Sequence, residues 1–110
     1  METGIDWNNL GGPELQKKLE EYCTAEGISD IHFAPEKEDV RLEVRLHGIL
    51  EEISRLSHKT YEDYVRQIKF LSKLKLNVTN IPQDGHYTFA QGDRRVNVRV
   101  ASIPSRFGEK

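Results

Sequence analysis

The chain has 110 residues, 36% hydrophobic and 31% charged, a composition typical of one folded domain rather than of a disordered segment. Its formal net charge of −2 gives no general attraction to nucleic acid, and no apolar run approaches the roughly 18–20 residues that cross a bilayer. A single cysteine excludes an internal disulfide, and the N-terminus lacks the basic and apolar stretches of a signal peptide. These features predict a cytoplasmic domain.

The chain begins with a polar segment followed by a helical pattern. Residues 1–12 contain paired asparagines and paired glycines, and we interpret them as a linker or a disordered start. Pro13 suits the first turn of a helix, where its missing N–H is not needed. Apolar residues then recur at helical spacing up to Gly27, which can end a helix in the left-handed conformation. The pattern predicts a helix over Pro13–Glu26.

Three strands are predicted next, connected by short polar turns. In "SDIHFAP", Ile31 and Phe33 alternate with polar residues. "VRLEVRLH" has the clearest alternation in the chain, with Val40 and every second residue after it on one face. Gly48 interrupts this strand, and "ILEEIS" is a plausible returning strand. The short connections predict an antiparallel meander.

A second helix and a hairpin complete the chain. The helix is predicted over Tyr61–Leu74 with Thr60 as its N-cap. "NVTNIPQDG" is predicted to be a loop whose last four residues form a rigid polar turn, because proline fixes φ and glycine permits a positive φ. These four residues are Pro82, Gln83, Asp84 and Gly85. "HYTFAQ" and "RRVNVRVAS" then predict a hairpin around the dipeptide Gly92-Asp93.

The order helix, three strands, helix, two strands predicts an α/β (α+β) fold. One antiparallel sheet of about five to six strands, with the helices packed on one face, is the most economical arrangement of these elements. The domain proper is predicted to cover residues 13–110.

The sequence predicts that this fragment alone is not an enzyme. It has no glycine-rich phosphate loop ending in Gly-Lys-Ser/Thr. Cys23 lies on the predicted core face of the first helix, where packing is a better explanation than nucleophilic chemistry. The four histidines have no short ligand spacing, so no metal site is predicted.

The arginines are more informative, and two interpretations of them stay open. Arg41 and Arg45 lie on the polar face of one predicted strand, and Arg95 and Arg99 on that of another. They can form ordinary solvated ion pairs, each worth under about 1 kcal/mol. Alternatively they can form a surface that binds phosphate or carboxylate, because guanidinium presents a planar fork of donors.

Three stretches, in this order and at matching separations, resemble one family. They are "SDIHFAPEKEDVRLEVRLHGIL", "IPQDGHYTF" and "VNVRVASIPSRFGEK". Together they are similar to the N-terminal, pre-motor domain of the ATPases of type II secretion and type IV pilus assembly. The resemblance covers about residues 29–110, and "PQDG" with the arginine-valine strand is its most specific part.

The resemblance implies a PAS-like fold and a role within a larger machine. In that family the whole protein is a homohexamer whose RecA-like motor binds ATP and Mg²⁺. This domain packs on the motor of the neighbouring subunit, and neither ATP nor metal is expected to bind to the fragment alone. The machine works at the cytoplasmic side of the inner membrane with a platform protein as partner, and nucleic acid is not expected as a partner. The chain is expected to stop before the motor.

The resemblance also implies roles for particular residues. Arg99 matches a strand arginine that approaches the nucleotide in trans, and Arg95, Arg45 and His86 are further expected contacts. Asp30 and His32 match the family's "SDIH" pair. Two positions depart from the family pattern, because His86 stands where arginine is common and His47 where aspartate is common. A histidine is a weaker and pH-dependent partner for phosphate, so this member relies on Arg99 with Arg95 or Arg94, or is a divergent or weakly active one.

Other functions remain as alternatives at this point. A stand-alone PAS-like module that binds a ligand or a protein fits the same small fold. A pilus-retraction relative is a further possibility, because "RRVNVRV" has a faint similarity to a strand of those enzymes. The chain also leaves open whether the machine serves pili, secretion or DNA uptake.

Overall fold

The computed structural model describes residues 3–109, which form two main helices and seven strands and confirm the predicted α/β (α+β) class. None of the helices formed by these residues combines the length and apolar character needed to cross a bilayer. In chain order the elements are a short 3-10 helix Trp7–Asn9, α1 Gly12–Glu26, β1 Asp30–Pro35, β2 Val40–Leu46, β3 Ile49–Leu56, α2 His58–Leu71, β4 Gln83–Gln91, β5 Arg94–Ser102, β6 Pro104–Ser105 and β7 Gly108–Glu109.

The strands divide among three antiparallel sheets rather than joining in the predicted single sheet. β1, β2 and β3 form one sheet with β2 in the centre, β4 and β5 form a second, and the short β6 and β7 form a third. The β4–β5 hairpin attaches to the rest of the domain through inward side chains such as Tyr87 and Val100, which pack against the core. It therefore needs no hydrogen-bonded ladder to an edge of the first sheet.

The core lies between β2 and the two helices. Val40, Leu42 and Val44 of β2 are fully buried because alternate residues of a strand face the same side. The helices contribute Leu15, Leu19, Tyr61, Tyr64 and Ile68. α1 and α2 approach closely, since a methyl group added at Gly12 would lie 2.7 Å from the Asp63 carbonyl oxygen.

The segment before α1 is part of the folded domain, which corrects the linker expected for residues 1–12. Trp7 is only 1% exposed, and its ring packs edge-on against Tyr22 at 5.4 Å between centroids. Its indole N–H donates to Thr3 Oγ1 at 2.9 Å. The Asn8 side-chain oxygen accepts from the Ser57 N–H at 2.7 Å, which ties the segment to the start of α2. Residues 1 and 2 lie outside the described residues.

Helix α2 begins and ends three residues earlier than predicted. Ser57 is the N-cap, and its hydroxyl accepts the Thr60 N–H at 3.1 Å. Thr60, the predicted cap, instead lies inside the helix and donates through its hydroxyl to the Asn8 carbonyl at 3.0 Å. At the other end the helix stops at Leu71, and Lys73 takes a positive φ of 59° that a helix cannot continue.

The connection between β2 and β3 explains one of the departures from the family pattern. His47 and Gly48 both have positive φ, 52° and 79°. A two-residue hairpin turn with positive φ at both positions favours glycine, asparagine, aspartate and, less strongly, histidine. His47 therefore occupies a turn position, where the common aspartate and this histidine satisfy the same backbone requirement.

Candidate functional site

The outward surface of the β4–β5 hairpin carries most of the side chains that the sequence singles out. Exposed and half-buried residues alternate strictly along β4, and on β5 the same alternation holds from Arg95 onward. The exposed residues that share this surface, hereafter the hairpin face, are Asp84, His86, Thr88 and Ala90 on β4 and Arg95, Asn97, Arg99 and Ala101 on β5.

His86 and Arg99 are directly opposed, near the end of the hairpin face where β4 begins and β5 ends. Opposed Cβ atoms in an antiparallel pair are about 4.5–5.5 Å apart, so imidazole and guanidinium can contact the same ligand. Together with Asp84, Gly85 and Asn97 they line a shallow depression of about 350 Å³. Both ring and guanidinium offer N–H donors, which suit the oxygens of an anion.

The inward surface of the hairpin fixes the orientation of the hairpin face. Tyr87 lies between His86 and Thr88 in sequence but points to the helices, where its hydroxyl donates to Glu20 Oε2 at 2.9 Å. Gln16 donates to the same carboxylate at 2.8 Å and accepts from Gln67 of α2 at 2.9 Å. Burial raises the pKa of Tyr87, so the phenol stays a hydrogen-bond donor at neutral pH. The hairpin is thus linked to both helices.

The arginines of β2, β3 and α2 differ from those of β5 in their ion pairing. Arg41, Arg45, Arg55 and Arg66 each have a carboxylate within 4.0 Å. Of the arginines for which ion pairing was considered, Arg41 and Arg45 therefore form such pairs. Among residues 3–109, no carboxylate lies within that distance of Arg94, Arg95 or Arg99, which are all exposed. Arg95 donates to Thr88 Oγ1 at 3.3 Å, a long hydrogen bond. The β5 arginines therefore keep their charge free of internal acidic partners.

The other residues expected at the site lie on the three-stranded sheet. Arg45 is opposite Asp30, with Nε 3.4 Å from Oδ2, and its Nη1 donates to the Gly48 carbonyl at 3.2 Å. His32 is opposite Glu43. The structure thus brings Arg45 and Asp30 together, but on a different sheet from His86 and Arg99.

The predicted polar turn at residues 82–85 is wrong for three of its four members. Gln83, Asp84 and Gly85 are the first residues of β4, and Gly85 is not in the left-handed region. Gln83 holds the preceding loop, because its side chain accepts from the Lys75 N–H and donates to the Lys75 and Val78 carbonyls at 2.9–3.1 Å. The residue types of this segment indicated a turn, but Gln83, Asp84 and Gly85 begin a strand instead.

Glycine is required at position 85 by close packing rather than by φ. A methyl group there would lie 3.0 Å from both Leu74 Cδ2 and the Ser72 carbonyl oxygen. We expect Gly85→Ala to lower the free energy of unfolding by about 1–3 kcal/mol, because backbone at Ser72 cannot easily move aside. Urea unfolding of this chain measures the effect. Thr88→Ala, on the exposed side of the same strand, is the control and should change stability by less than about 0.5 kcal/mol. Equal stability of the two variants would contradict this explanation.

The structure contains a buried ion pair that was not predicted from the sequence. Lys69 Nζ and Glu109 Oε1 are 2.7 Å apart, and the two side chains are only 3% and 8% exposed. Lysine and glutamate are rarely buried, and nothing in their spacing, 40 residues apart, indicates a contact. Lys69 does follow Ile68 on the buried side of α2, which is the one weak signal available.

The remaining chemical candidates lie apart from the hairpin face. Burial raises the pKa of the Cys23 thiol to about 12, which leaves it protonated at neutral pH and unsuited to nucleophilic attack. The histidines are distributed over β1, the β2–β3 turn, the start of α2 and β4. Within residues 3–109, no three His, Cys, Asp or Glu side chains are grouped as metal ligands.

Comparison with known proteins identifies relatives over most of this chain. Type II secretion system ATPase E of Vibrio cholerae serotype O1 is 35% identical over 85 residues, which are 77% of this chain and 17% of the relative. Type IV pilus assembly ATPase PilB of Thermus thermophilus is 30% identical over 106 residues, 96% of this chain and 12% of the relative. Type IV pilus assembly ATPase TfpB of Acinetobacter baylyi is 31% identical over 91 residues, which are 82% of this chain and 16% of the relative.

The chain thus spans less than one fifth of the length of these three relatives. The sequence profile of the family described as "Type II/IV secretion system protein" matches residues 13–110, from the start of α1 onward. This confirms the resemblance seen in the three sequence stretches. Because the match covers nearly the whole chain, the chain belongs to the type II/IV secretion system protein family.

Proposed function

We propose that this chain is a non-catalytic N-terminal domain of a hexameric ATPase that powers type IV pilus assembly or type II secretion. In this role it supplies arginine in trans to the ATP and Mg²⁺ held by the RecA-like motor of the neighbouring subunit. The names of the relatives, which include secretion and pilus assembly ATPases, support this class of machine. Hydrolysis itself belongs to the motor, since this chain has no glycine-rich phosphate loop.

The observation that carries the proposal is the unpaired state of Arg99 on an exposed sheet face. It lies opposite His86, and no carboxylate among the described residues is within 4.0 Å of it. A guanidinium can donate two parallel hydrogen bonds to phosphate oxygens, and it loses less affinity when no internal acid competes. The charge and position of Arg99 fit a triphosphate presented by another subunit.

Arg95 and Arg45 differ in how readily their side chains can contact a nucleotide. Arg95 lies on the same face as Arg99, four residues away along β5, a distance of about 13 Å at 3.3 Å per residue. That separation suits a second contact on the nucleotide or on the protein around it. Arg45 is already paired with Asp30. A nucleotide contact by Arg45 would require the Arg45–Asp30 pair to open. The prediction of this contact therefore has less support than the prediction for Arg99.

Exposed apolar side chains support docking on another domain. Five of the seven large hydrophobic residues that are exposed in the described part of the chain belong to the end of α2, the loop after it and the segment after β5. These segments meet, because Lys69 bonds both the Val78 carbonyl and Glu109. The five residues are Phe70, Leu76, Ile81, Ile103 and Phe107.

Within this proposal, that end of the domain packs on the motor and the hairpin face meets the nucleotide. ATP-driven movement of the motor against this domain is then passed on to an inner-membrane platform protein, with the hexamer at the cytoplasmic side of the membrane. His86 adds a weaker contact than the arginine common at its position. A small-ligand module, the alternative that the sequence left open, has no specific observation in its favour.

Mixed hexamers test the contact in trans. The longer protein containing this domain and its native motor is prepared in two impaired forms, one with Arg99→Ala and one with the phosphate-loop lysine of the motor replaced by alanine. Mixing them pairs intact motors with neighbouring subunits that carry Arg99. We expect ATP turnover to recover to at least threefold above the sum of the separate preparations.

Two results decide the outcome of the mixing test. Recovery supports a site shared between subunits. Absence of recovery, with subunit exchange verified by fluorescence energy transfer between labelled preparations, would contradict the contact in trans. The matched control mixes the motor-deficient form with itself, labelled in two colours, and should show exchange without turnover.

A further inference from the structure

The buried Lys69–Glu109 pair joins parts of the chain that are distant in sequence. Lys69 lies in the last turn of α2, and Glu109 lies in β7 at the end of the described residues. The nitrogen and oxygen are 2.7 Å apart, with both side chains more than nine-tenths buried. Tyr61, two turns earlier in α2, donates its hydroxyl to the Glu109 backbone carbonyl at 2.6 Å. The C-terminal β6–β7 hairpin is therefore fastened to α2 at two points.

Lys69 has a second acceptor, which leads to the start of β4. Its ammonium group donates to the Val78 carbonyl at 2.9 Å, in the loop between α2 and β4. The same carbonyl accepts from Gln83 Nε2, also at 2.9 Å. Gln83 is the first residue of β4, and Asp84 and His86 of the hairpin face follow it directly. Lys69 is thus connected to β4 through the Val78 carbonyl oxygen, which accepts one hydrogen bond from Lys69 and another from Gln83.

The three N–H donors of the lysine ammonium group explain why a lysine occupies this position. A gain in stability does not explain it. Replacing a buried ion pair with apolar residues of similar volume is often neutral or stabilising, so stability alone does not explain the pair. An ammonium group can bind two acceptors from different segments at once, and its hydrogen bonds of 2.7 Å to Glu109 and 2.9 Å to Val78 hold these segments close together. An apolar side chain would fill the same space without fixing either segment.

We propose that Lys69 is a positioning residue that couples the C-terminal β6–β7 hairpin to the first residues of β4. A displacement of Glu109 changes the position of Lys69, then of the Val78 carbonyl, then of Gln83 and the strand that carries His86. The importance of this coupling for ATP rests on the proposed function, whereas the coupling itself does not. It gives the segment after β5 a physical connection to the hairpin face.

The test uses Lys69→Met combined with Glu109→Leu, which leaves no unpaired buried charge. Amide hydrogen exchange is followed by NMR in this chain. We expect exchange at Lys75, whose N–H is held by Gln83, and at residues 84–86 to quicken at least fivefold, while exchange in β2 is unchanged. Lys59→Met is the matched control, because Lys59 lies on the same helix in an exposed pair with Asp63, and it should change none of these rates.

A role in local packing alone would not alter β4, so unchanged exchange at residues 84–86 in the double variant overturns the proposal. Should the double variant fail to fold, Glu109→Gln keeps the size and one acceptor and should quicken the same amides at least twofold. Unchanged rates in that variant count equally against the proposal.

A second measurement separates this proposal from the proposed function. Titration of the chain with inorganic tripolyphosphate is followed at the His86 and Arg99 side-chain signals. If the double variant weakens that binding at least threefold, both proposals are supported. If the wild-type chain does not bind tripolyphosphate but β4 exchange quickens as expected, the coupling stands and the anion-binding role of the hairpin face loses support.

Discussion

Under the proposed function, replacing Arg99 by alanine is expected to reduce ATP turnover at least tenfold in a protein that joins this domain to the proposed motor. Arginines supplied to a phosphoryl transition state are worth about 10³–10⁵ in rate, and His86 can offset part of the loss. Hexamer assembly should be unaffected, because the side chain is exposed and has no internal partner among the described residues. Turnover and the molar mass of the assembly, measured by light scattering, check both statements.

Two further variants show what the arginine provides. Arg99→Lys keeps the charge but not the planar fork, so an intermediate rate indicates that paired hydrogen bonds matter. Arg66→Ala is the control, since Arg66 is an exposed arginine of α2 that pairs with Asp63 away from β5. It should leave turnover unchanged. Wild-type turnover by intact hexamers of Arg99→Ala would contradict the role given to Arg99.

Replacing Lys69 alone by methionine is expected to lower the free energy of unfolding by about 3–5 kcal/mol. The change leaves Glu109 buried with its partner removed, and Oε2 of that carboxylate already has no hydrogen-bond partner among residues 3–109. Val78 keeps the hydrogen bond from Gln83, so the loss comes mainly from the uncompensated charge. Urea unfolding of this chain at neutral pH measures the difference.

The partner substitution distinguishes a charge effect from a packing effect. Adding Glu109→Leu to Lys69→Met removes the unpaired charge, and stability should return to within about 1.5 kcal/mol of the wild type. Lys59→Met, in an exposed pair on the same helix, should change stability by less than about 0.5 kcal/mol. If the double variant were as unstable as the single one, a cavity rather than a buried charge would be the cause.

Alternating patterns predicted β2 and β5 well because the inward side chains of these strands are buried or half-buried. β5 was predicted residue for residue, and the exposure of Arg95 and Arg99 followed from the same alternation. β2 was equally clear, since Val40, Leu42 and Val44 all face the core. Most of the hairpin face was therefore predictable in its composition, including the opposition of two strands around Gly92, whereas Asp84 was assigned to a turn.

Features that depend on contacts between distant segments were not predictable. Trp7 packs on Tyr22 in the core, and Asn8 beside it bonds to the start of α2, so a stretch of sequence that looks like a polar linker is folded. Gly85 suggested a turn, but its reason is the approach of Ser72 and Leu74. The division into separate sheets depends likewise on how Tyr87 packs, which no local periodicity reports.

The separation of the β4–β5 pair from the three-stranded sheet has a bearing on how members of the family can diverge. A one-residue slip in a continuous sheet would turn every following side chain to the wrong side. Here the two sheets share no ladder, so changes in one pair of strands leave the alignment of the other three intact. A substitution on the outer surface, such as one at His86, can therefore occur without disturbing the strand register of the three-stranded sheet.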